Sequence, residues 1–550
     1  DGPIIEKYPE EIDLTSNSIT LDWSTINPGT SRIRYGVTTN YELGVIEPDN
    51  DLRNLHNVTV SGLNSATIYN LQAFSVANSD TSFSSNIISS TTSAFPTTGE
   101  IQVYFNNTVN TSVSSGVNAN ANANFTDILI QKINNAKRSI DVALYSLSGT
   151  VGANIATALV NAKNRGVKIR VIGEYDNRTT APWQTLISNG IPYINDAYGN
   201  NDGSGLHHNK FFVIDYRGGS PDSVWVIMGS WNPTDPGTND DRQNLVLFQD
   251  VALAGAYTVE FQEEWGSNTD NPNSQNSRFG SRKLNNTPHN FVIGGVKVQS
   301  FFSPSDGTTF NLGKTLSKTQ RSINGALMTF TRRDLADTVI AVKNRNKKTR
   351  LVLSNNTDSG TQFSYLQSNG VDIRLKGFTS GLLHHKYAIV DAEPFGYTPY
   401  VITGSHNWSS SAENSNDENT LIIQDNQVAN FYLQEFAARY YEAGGTDSIN
   451  TITSADENIN IVPTKFSLLQ NYPNPFNPVT TIRFEVPLSQ KVELNVFDIL
   501  GRKVKELYND IAPVGVLSVE FSADDLASGM YIYQLKTKEF SISKKMVLLK

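Results

Sequence analysis

The sequence predicts a multidomain chain: an N-terminal β-sandwich, a central duplicated α/β region of two pseudo-twofold halves with mixed sheets and flanking helices, and a C-terminal β-sandwich. Three observations support this. Short alternating runs fill both ends of the chain, apolar runs alternate with helix-period segments in the middle, and the middle repeats itself. At 550 residues the chain is too long for one core, and a prior of roughly 150 residues per domain suggests three or four. The expected boundaries are 1–98, 99–285, 286–455 and 456–550.

In the first segment SITLDWS, RIRYGV, HNVTVSG and TIYNLQAFSV read as strands separated by Asn, Gly, Pro and Ser clusters. Trp23, Tyr35, Leu63 and Tyr69 fall where a buried indole, a partner aromatic and a tyrosine corner are expected. The segment resembles a fibronectin type III domain, which implies a spacer or accessory module without a catalytic role. SAFPTTGE, 93–100, interrupts the alternation and reads as a linker.

The middle opens with the Asn/Ala-rich GVNANANANF, 116–125, expected as a loop ahead of a helix. IDVALYSL then reads as a strand, IATALVNAKNRG as a helix and VKIRVIGE as a buried strand, which together imply βαβ units and a parallel or mixed sheet. A duplication covers this region. KRSIDVALYSL, 137–147, recurs as QRSINGALMTF, 320–330. LHHNKFFVID, 206–215, recurs as LLHHKYAIVD, 382–391, and GSWN, 229–232, as GSHN, 404–407. The offset falls from 183 through 176 to 175, so loops shorten in the second copy. Two halves that depend on each other make their shared face the expected place for a pocket.

Residues i and i+2 of a strand share a face, so His208 and Lys210 are expected to project together, as are His384 and Lys386. Asn209 and Phe211 then point the other way, and His207 and His385 lie off the catalytic face or at its rim. A pseudo-twofold axis brings the two pairs to one site, with the hydroxyls of Ser230 and Ser405 and the amides of Asn232 and Asn407. A site so rich in donors suits anionic non-bridging oxygens, and a phosphodiester is the natural substrate. Two imidazoles supply the remaining tasks, attack on phosphorus and protonation of the leaving oxygen.

HxK, four residues, Asp, then GSxN, present twice, is the pattern of the phospholipase D superfamily, and the resemblance covers about 350 residues, 101–450. It implies a covalent phosphohistidine intermediate formed without a metal or other cofactor and resolved by water or an alcohol. Carried onto this chain, His208 is the nucleophile and His384 the general acid and later base. Lys210 and Lys386 hold phosphate, with Asn232, Asn407, Ser230 and Ser405 in support. Asp215 and Asp391, at the far ends of their strands, brace the structure. In the family a carboxylate after GSxN commonly orients the imidazole of the other half. Position 418 is Glu and its repeat mate is Gln243, so Glu418 is expected to back His208, and His384 to face an amide. The substrate favoured is a phospholipid headgroup, by hydrolysis or transfer to an alcohol. The alternatives are a non-specific nuclease acting on single- or double-stranded nucleic acid and a catalytically silent surface protein. Both motifs lie in one chain, so a monomer is expected.

The last segment contains NYPNPFNP, the strand-like VTTIRFEVP, VELNVFDILG and MYIYQLKT, and ends in KKMVLLK. These runs predict a small β-sandwich, and their order resembles the C-terminal sorting domain read by the type IX secretion machinery of Gram-negative bacteria. That implies a secreted or surface-held protein. The chain opens at Asp1 with no apolar leader, which in this reading has been removed.

Composition narrows the classes further. There is no cysteine, which excludes disulfides and thiolate metal sites. Lys+Arg against Asp+Glu count 4 to 12 over 1–100, 29 to 30 over 101–455 and 11 to 11 over 456–550, so the net charge of −9 resides almost wholly in the first hundred residues. The near-neutral middle lacks the positive field of a dedicated duplex binder. KNRNKKTR, 343–350, is the one basic cluster, expected as a solvated face. Trp183, Trp231 and Trp408 are expected to be core for at least two of the three, the alternative being a pocket wall or a lipid-facing wedge.

Overall fold

The computed structural model describes residues 2–94, 99–198, 205–393, 398–449, 466–471, 474, 476–513, 515–537 and 541–549. The middle of the expected linker, 95–98, the boundary expected near 456, and positions 472, 473 and 475 of the Asn-Pro stretch lie outside the described residues. The chain divides into two compact units, Asp1–Thr451 and Ile452–Lys550. Among the described residues no helix is long and apolar enough to cross a membrane.

The first unit begins with two antiparallel sheets. One holds Ile5–Leu14, Ser18–Gly29 and Arg53–Ser61; the other holds Arg32–Gly36, Gly44–Ile46, Ile68–Ala77, Asp80–Phe83 and Ile87–Ser90. Alternation sends Ile19, Leu21, Trp23, Val58 and Val60 from the first and Ile33, Leu71 and Ala73 from the second into one core. The Trp23 ring stacks on His56 at 4.8 Å, and its indole N–H donates to Ser75 Oγ at 3.2 Å. Leu63 is buried and Tyr35 packs partly buried against the same core. The Tyr69 hydroxyl accepts the Asn64 N–H at 2.9 Å and ties the chain five residues upstream. The region is fastened to the rest of its unit by Ser93, whose hydroxyl donates to the buried Asp250 carboxylate at 2.7 Å.

The duplicated region builds two sheets of matching order. In the first half Tyr193–Asn195, Lys168–Gly173 and Ser139–Leu144 run parallel, then Lys210–Ile214, Trp225–Gly229, Asn244–Gln249 and Glu100–Phe105 follow antiparallel. In the second, Asp372–Leu375, Lys348–Leu353 and Ser322–Leu327 are parallel. Lys386–Val390, Tyr400–Gly404, Glu418–Gln424 and Val296–Ser303 follow antiparallel, with Asn290–Ile293 as an added edge. The Asn/Ala stretch ends at the helix Phe125–Asn135, whose Asn124 side chain accepts the Asp127 N–H as an N-cap. The expected helical run at 155–166 starts inside the helix Gly149–Asn164 and runs on through its C-cap, Arg165, to Gly166.

Each half has an outer core of its own under its flanking helices. Between the sheets lies a third core that both halves share, built around the helices Val251–Trp265 and Asn426–Glu442. Buried residues lie on nearly every side of these two helices, with Glu260 and Glu264 on one and Asn430, Gln434, Glu435 and Arg439 on the other among the apolar ones, so both are enclosed by protein. Tyr257 meets Phe302 edge-on at 5.0 Å and Phe105 meets Tyr432 at 5.2 Å, so the halves interlock through aromatic rings.

The second unit holds two antiparallel sheets. Ser467–Leu468, Val479–Val486 and Gly515–Ser522 form one; Lys503–Ala512, Gln490–Asp498, Gly529–Lys536 and Ser541–Leu548 form the other. Ile482 and Phe484 of the first share a core with Leu494, Val496, Tyr533 and Met546 of the second. The DILGRKV stretch turns at Gly501, where φ is 78° and glycine is favoured.

Candidate active site

The two histidine segments do not begin as strands. The regular ladders start at Lys210 and Lys386, and each histidine sits just ahead of one. What holds it is the other half. His207 forms a parallel bridge with Asp417 and Leu383 one with Arg242. The His208 N–H therefore donates to Asp417 O and the His384 N–H to Arg242 O, both at 3.0 Å. Each imidazole is delivered beside the residue that follows its cross-half partner, Glu418 or Gln243.

His208 Nδ1 lies 2.8 Å from Glu418 Oε2, and Ser405 Oγ donates to the same oxygen at 2.6 Å. His384 Nδ1 lies 2.8 Å from Gln243 Oε1 and 3.0 Å from Ser230 O, and Ser230 Oγ donates to Gln243 Oε1 at 2.9 Å. Gln243 Nε2 donates to Gly237 O, so the amide oxygen is the end turned toward the ring. Two oxygen acceptors at His384 Nδ1 require a proton there. The Lys386 ammonium, 3.2 Å from that nitrogen, is then a neighbouring charge and not its hydrogen-bond donor. Both rings thus present Nε2 as the free nitrogen, with no partner among the described residues.

Lys210 Nζ donates back to His208 O at 2.8 Å and Lys386 Nζ to His384 O at 2.7 Å, so each lysine curls over its own histidine. All four side chains are buried. Burial lowers His208 to about 4 against the pull of Glu418, with Lys210 and Lys386 lowering it further. His384 is held well below its ordinary value by burial and by Lys386, Lys210 and His208. Burial brings Lys210 to about 7, partly offset by Glu418, and drives Lys386 well below its usual range, with Lys210 adding to the effect. Burial would raise Glu418, but His208 and Lys210 outweigh it and hold the carboxyl low. Groups from both halves thus act on one another's charge, the mark of a single centre.

The GSxN turns support it from behind. Gly229 and Gly404 must lack a side chain, since a Cβ would stand 2.3 Å from Asn244 O and 2.2 Å from Asn419 O. Ser230 and Ser405 are fully buried, and their hydroxyls also accept the N–H of Asn244 and Asn419. Asn232 and Asn407 are half-buried, each with an amide oxygen that no donor among the described residues reaches. Asp215 and Asp391 are remote from the imidazoles. Each adopts a left-handed backbone, φ 58° and 60°, and turns its carboxylate onto three consecutive backbone N–H groups, at 137–139 and 320–322 respectively. His385 points away to Asn244 and Glu435, and His207 toward Glu264. Trp183, Trp231 and Trp408 are all core, so none is a lipid-facing wedge. The basic run 343–350 is not wholly solvated: Arg350 is buried against Glu393, and Arg345 caps backbone carbonyls at 317 and 319.

Sequence reasoning missed Tyr145. Its ring lies 4.8 Å from His208 and 5.2 Å from Lys210 Nζ, whereas its repeat mate Met328 offers a sulfur to Lys386 at 3.4 Å. The aligned repeat contained the signal, an unmatched aromatic at the end of a matched strand.

Two imidazoles with Nδ1 anchored and Nε2 free, flanked by two lysines and related by a duplicated mixed-sheet fold, define a centre of the phospholipase D type. Comparison with known proteins agrees: the family described as cardiolipin synthase, PLD-like domain, matches residues 129–265 and 312–440, and the secretion system C-terminal sorting domain matches 470–549. Residues 129–265 and 312–440 are thus phospholipase D-like domains, and 470–549 is a sorting domain that marks the protein for export to the surface of a Gram-negative bacterium. The mitochondrial cardiolipin hydrolase of Xenopus tropicalis is 36% identical over 129 residues, 23% of this chain and 58% of that protein. A phospholipase D of Rickettsia conorii is 29% identical over 145 residues, 26% and 69%. The chain spans little more than half the length of the first of these. Among solved structures, the phospholipase D family member Nuc from Salmonella typhimurium overlaps 28% of this chain and 98% of its own at 25% identity, TM-score 0.24. Phosphatidylserine synthase from Haemophilus influenzae overlaps 62% and 85% at 16% identity, TM-score 0.44.

Proposed function

We propose that the protein is a secreted phosphodiesterase that cleaves the headgroup phosphodiester of phospholipids through a phosphohistidine on His208. The observation that supports it is the unequal backing of two otherwise equivalent rings, a carboxylate behind His208 and an amide behind His384. With Nδ1–H directed at Glu418, neutral His208 presents its Nε2 lone pair to phosphorus. The positive charge that develops on the phosphorylated ring is met by the carboxylate. Lys210, Lys386 and the amides of Asn232 and Asn407 receive the non-bridging oxygens. Burial and the two lysines keep His384 neutral; a bound phosphodiester anion offsets the lysines, so the ring takes up a proton on Nε2 and gives it to the departing alkoxide. Neutral His384 then removes a proton from water, the water oxygen bonds to phosphorus, the P–N bond breaks and His208 is restored. An alcohol in place of water gives transphosphatidylation.

The names of the relatives, cardiolipin hydrolase and phospholipase D, and the near-neutral middle region favour lipid over nucleic acid. The N-terminal sheets serve as a fibronectin-like accessory module, the C-terminal unit as the address read by the type IX machinery, and the chain acts as a monomer. The test is incubation of the full chain with phosphatidylcholine vesicles, single-stranded DNA and a chromogenic phosphodiester. Release of choline, abolished in His208→Asn, is the expected result. DNA fragments without choline would replace the lipid reading by the nuclease one, and no turnover on any substrate would leave a surface-binding protein.

A further inference from the structure

Directly behind the nucleophile lies a group of buried side chains that the phosphodiester chemistry does not use. His207 has none of its surface exposed, yet among the described residues neither ring nitrogen has a hydrogen-bond partner, and the same is true of Glu264 Oε2 and Asp417 Oδ2. One ligand atom from each of His207, Glu264 and Asp417 lies within 4.8 Å of the others, and His207 Nδ1 is 3.6 Å from Glu264 Oε2. The residues come from separate elements: the segment ahead of Lys210–Ile214, the end of the helix Val251–Trp265, and the other half's residue just before Glu418. Their remaining atoms are fixed. Glu264 Oε1 accepts the Asn209 amide at 3.0 Å and Asp417 Oδ1 the Gly280 N–H at 2.6 Å.

Symmetry supplies a control. The repeat offsets place Leu383, Arg439 and Arg242 at the positions equivalent to His207, Glu264 and Asp417. There Arg439 closes on Glu435 at 3.2 Å and neutralises the site internally. Around His207 three carboxylates, Glu260 and Glu264 of the first half and Asp417 of the second, share one ammonium, Lys283, which bonds Glu260 and stands 3.8 Å from Glu264 and 3.6 Å from Asp417. Ionised, the group has two negative charges in excess, the charge of one divalent ion.

We propose that His207, Glu264 and Asp417 bind a divalent cation of the zinc class, which ties the two halves together beneath His208. One imidazole and two carboxylates are a borderline donor set of the kind zinc accepts. Donors at about 2.1 Å in a tetrahedral shell stand roughly 3.4 Å apart, so the present spacing needs only a small closure. Asp417 O already receives the His208 N–H, and the ion therefore fixes the backbone that aims the nucleophile without touching phosphate. It is a positioning ion.

The test is metal content and stability of the full chain, independent of any activity. Protein stripped with chelator and reloaded with zinc should retain about one equivalent through gel filtration and melt several degrees higher than the stripped form. Cobalt in place of zinc should give visible ligand-field bands. Glu264→Gln and His207→Gln should weaken zinc binding at least about tenfold, by analogy with losses at metal-supporting residues. Well under one equivalent in the reloaded wild type, with no shift in melting, overturns the proposal whatever the variants do. So does equal zinc retention by wild type and Glu264→Gln. If the variants fail to fold, the wild-type stoichiometry and cobalt spectrum decide.

Discussion

Replacing Glu418 by Gln removes a charge while keeping the shape, and the molecule contains its own precedent for the geometry. In the other half Gln243 is held with its oxygen toward the ring by the Ser230 hydroxyl, and Ser405 stands ready to hold a glutamine at 418 in the same way. What disappears is the attraction between carboxylate and the charge growing on His208. With Nδ1 2.8 Å from the oxygen, the charge centres are roughly 4 Å apart, which at an effective dielectric of about 20 is worth about 4 kcal/mol. At 1.36 kcal/mol per factor of ten, the chemical step should slow by roughly 10²- to 10³-fold. Single-turnover hydrolysis of a chromogenic phosphodiester measures it, with KM little changed because the lysines and asparagines remain. A loss below about tenfold would refute the assignment of work to the carboxylate. The paired exchange, Glu418→Gln with Gln243→Glu, is a harder test. If the carboxylate selects the attacking ring, the trapped phosphoryl group should move from the peptide containing His208 to the one containing His384; label that stays on His208 contradicts the reasoning.

Three other outcomes follow from the same geometry. Asp215→Ala leaves the N–H groups of Lys137, Arg138 and Ser139 without their acceptor and puts alanine at φ 58°. About 3–5 kcal/mol of stability should be lost in urea unfolding, with Asp215→Asn milder because Asn tolerates that backbone; a loss under about 1 kcal/mol would deny the bracing role. His56 and His208 are lowered to about 4, and His207 and His384 are well below 6.5, chiefly by burial. At each of these rings the unfolded chain binds more protons than the folded one between pH 6.5 and 4, so the ring's own contribution to stability falls as pH falls, by up to about 1.4 kcal/mol for each unit, against the opposite trend of the buried Glu174, Glu260 and Asp417, whose carboxyls burial raises. A His56→Gln chain whose urea midpoint shows the same pH dependence as the full chain between pH 7 and pH 5 would argue against it. Binding of inorganic phosphate should take up protons at neutral pH, since the anion raises His384 and also Lys210, which burial has brought to about 7. Calorimetry in buffers of different ionisation enthalpy reads the number, and zero uptake would speak against a neutral His384 at rest.

What the sequence made legible was whatever the duplication wrote twice. HxK and GSxN recur because each half must contribute one imidazole, one ammonium and one turn, and a repeat exposes them at once. The mixed sheet follows from strands alternating with helix-period runs before Lys210, whereas the antiparallel order after it, joined by longer connections such as the one carrying the helix Asp235–Asn239, had no such local signal. Glu418 was legible as the carboxylate of a mismatched pair. What stayed hidden arises between segments. The histidines precede their strands because the bridges 207–417 and 242–383 span the halves, and no local pattern reports a bridge over 140 or more residues. Tyr145 looked like the end of a buried strand, and its nearness to His208 comes from the antiparallel pairing of two segments far apart in the chain, which sets the Tyr145 N–H on Asn209 O. Asp417 and Glu264 read as ordinary polar positions because their significance lies in failing to match Arg242 and Arg439. Duplication built a symmetric frame in which either histidine can reach the same phosphorus, and equal rings would leave the order of attack and protonation undecided. Gln243 against Glu418, Met328 against Tyr145, and Leu383, Arg439 and Arg242 against His207, Glu264 and Asp417 all differ on the side that serves His208. Three separate groups of differences converging on one ring are what a division of labour between the halves requires.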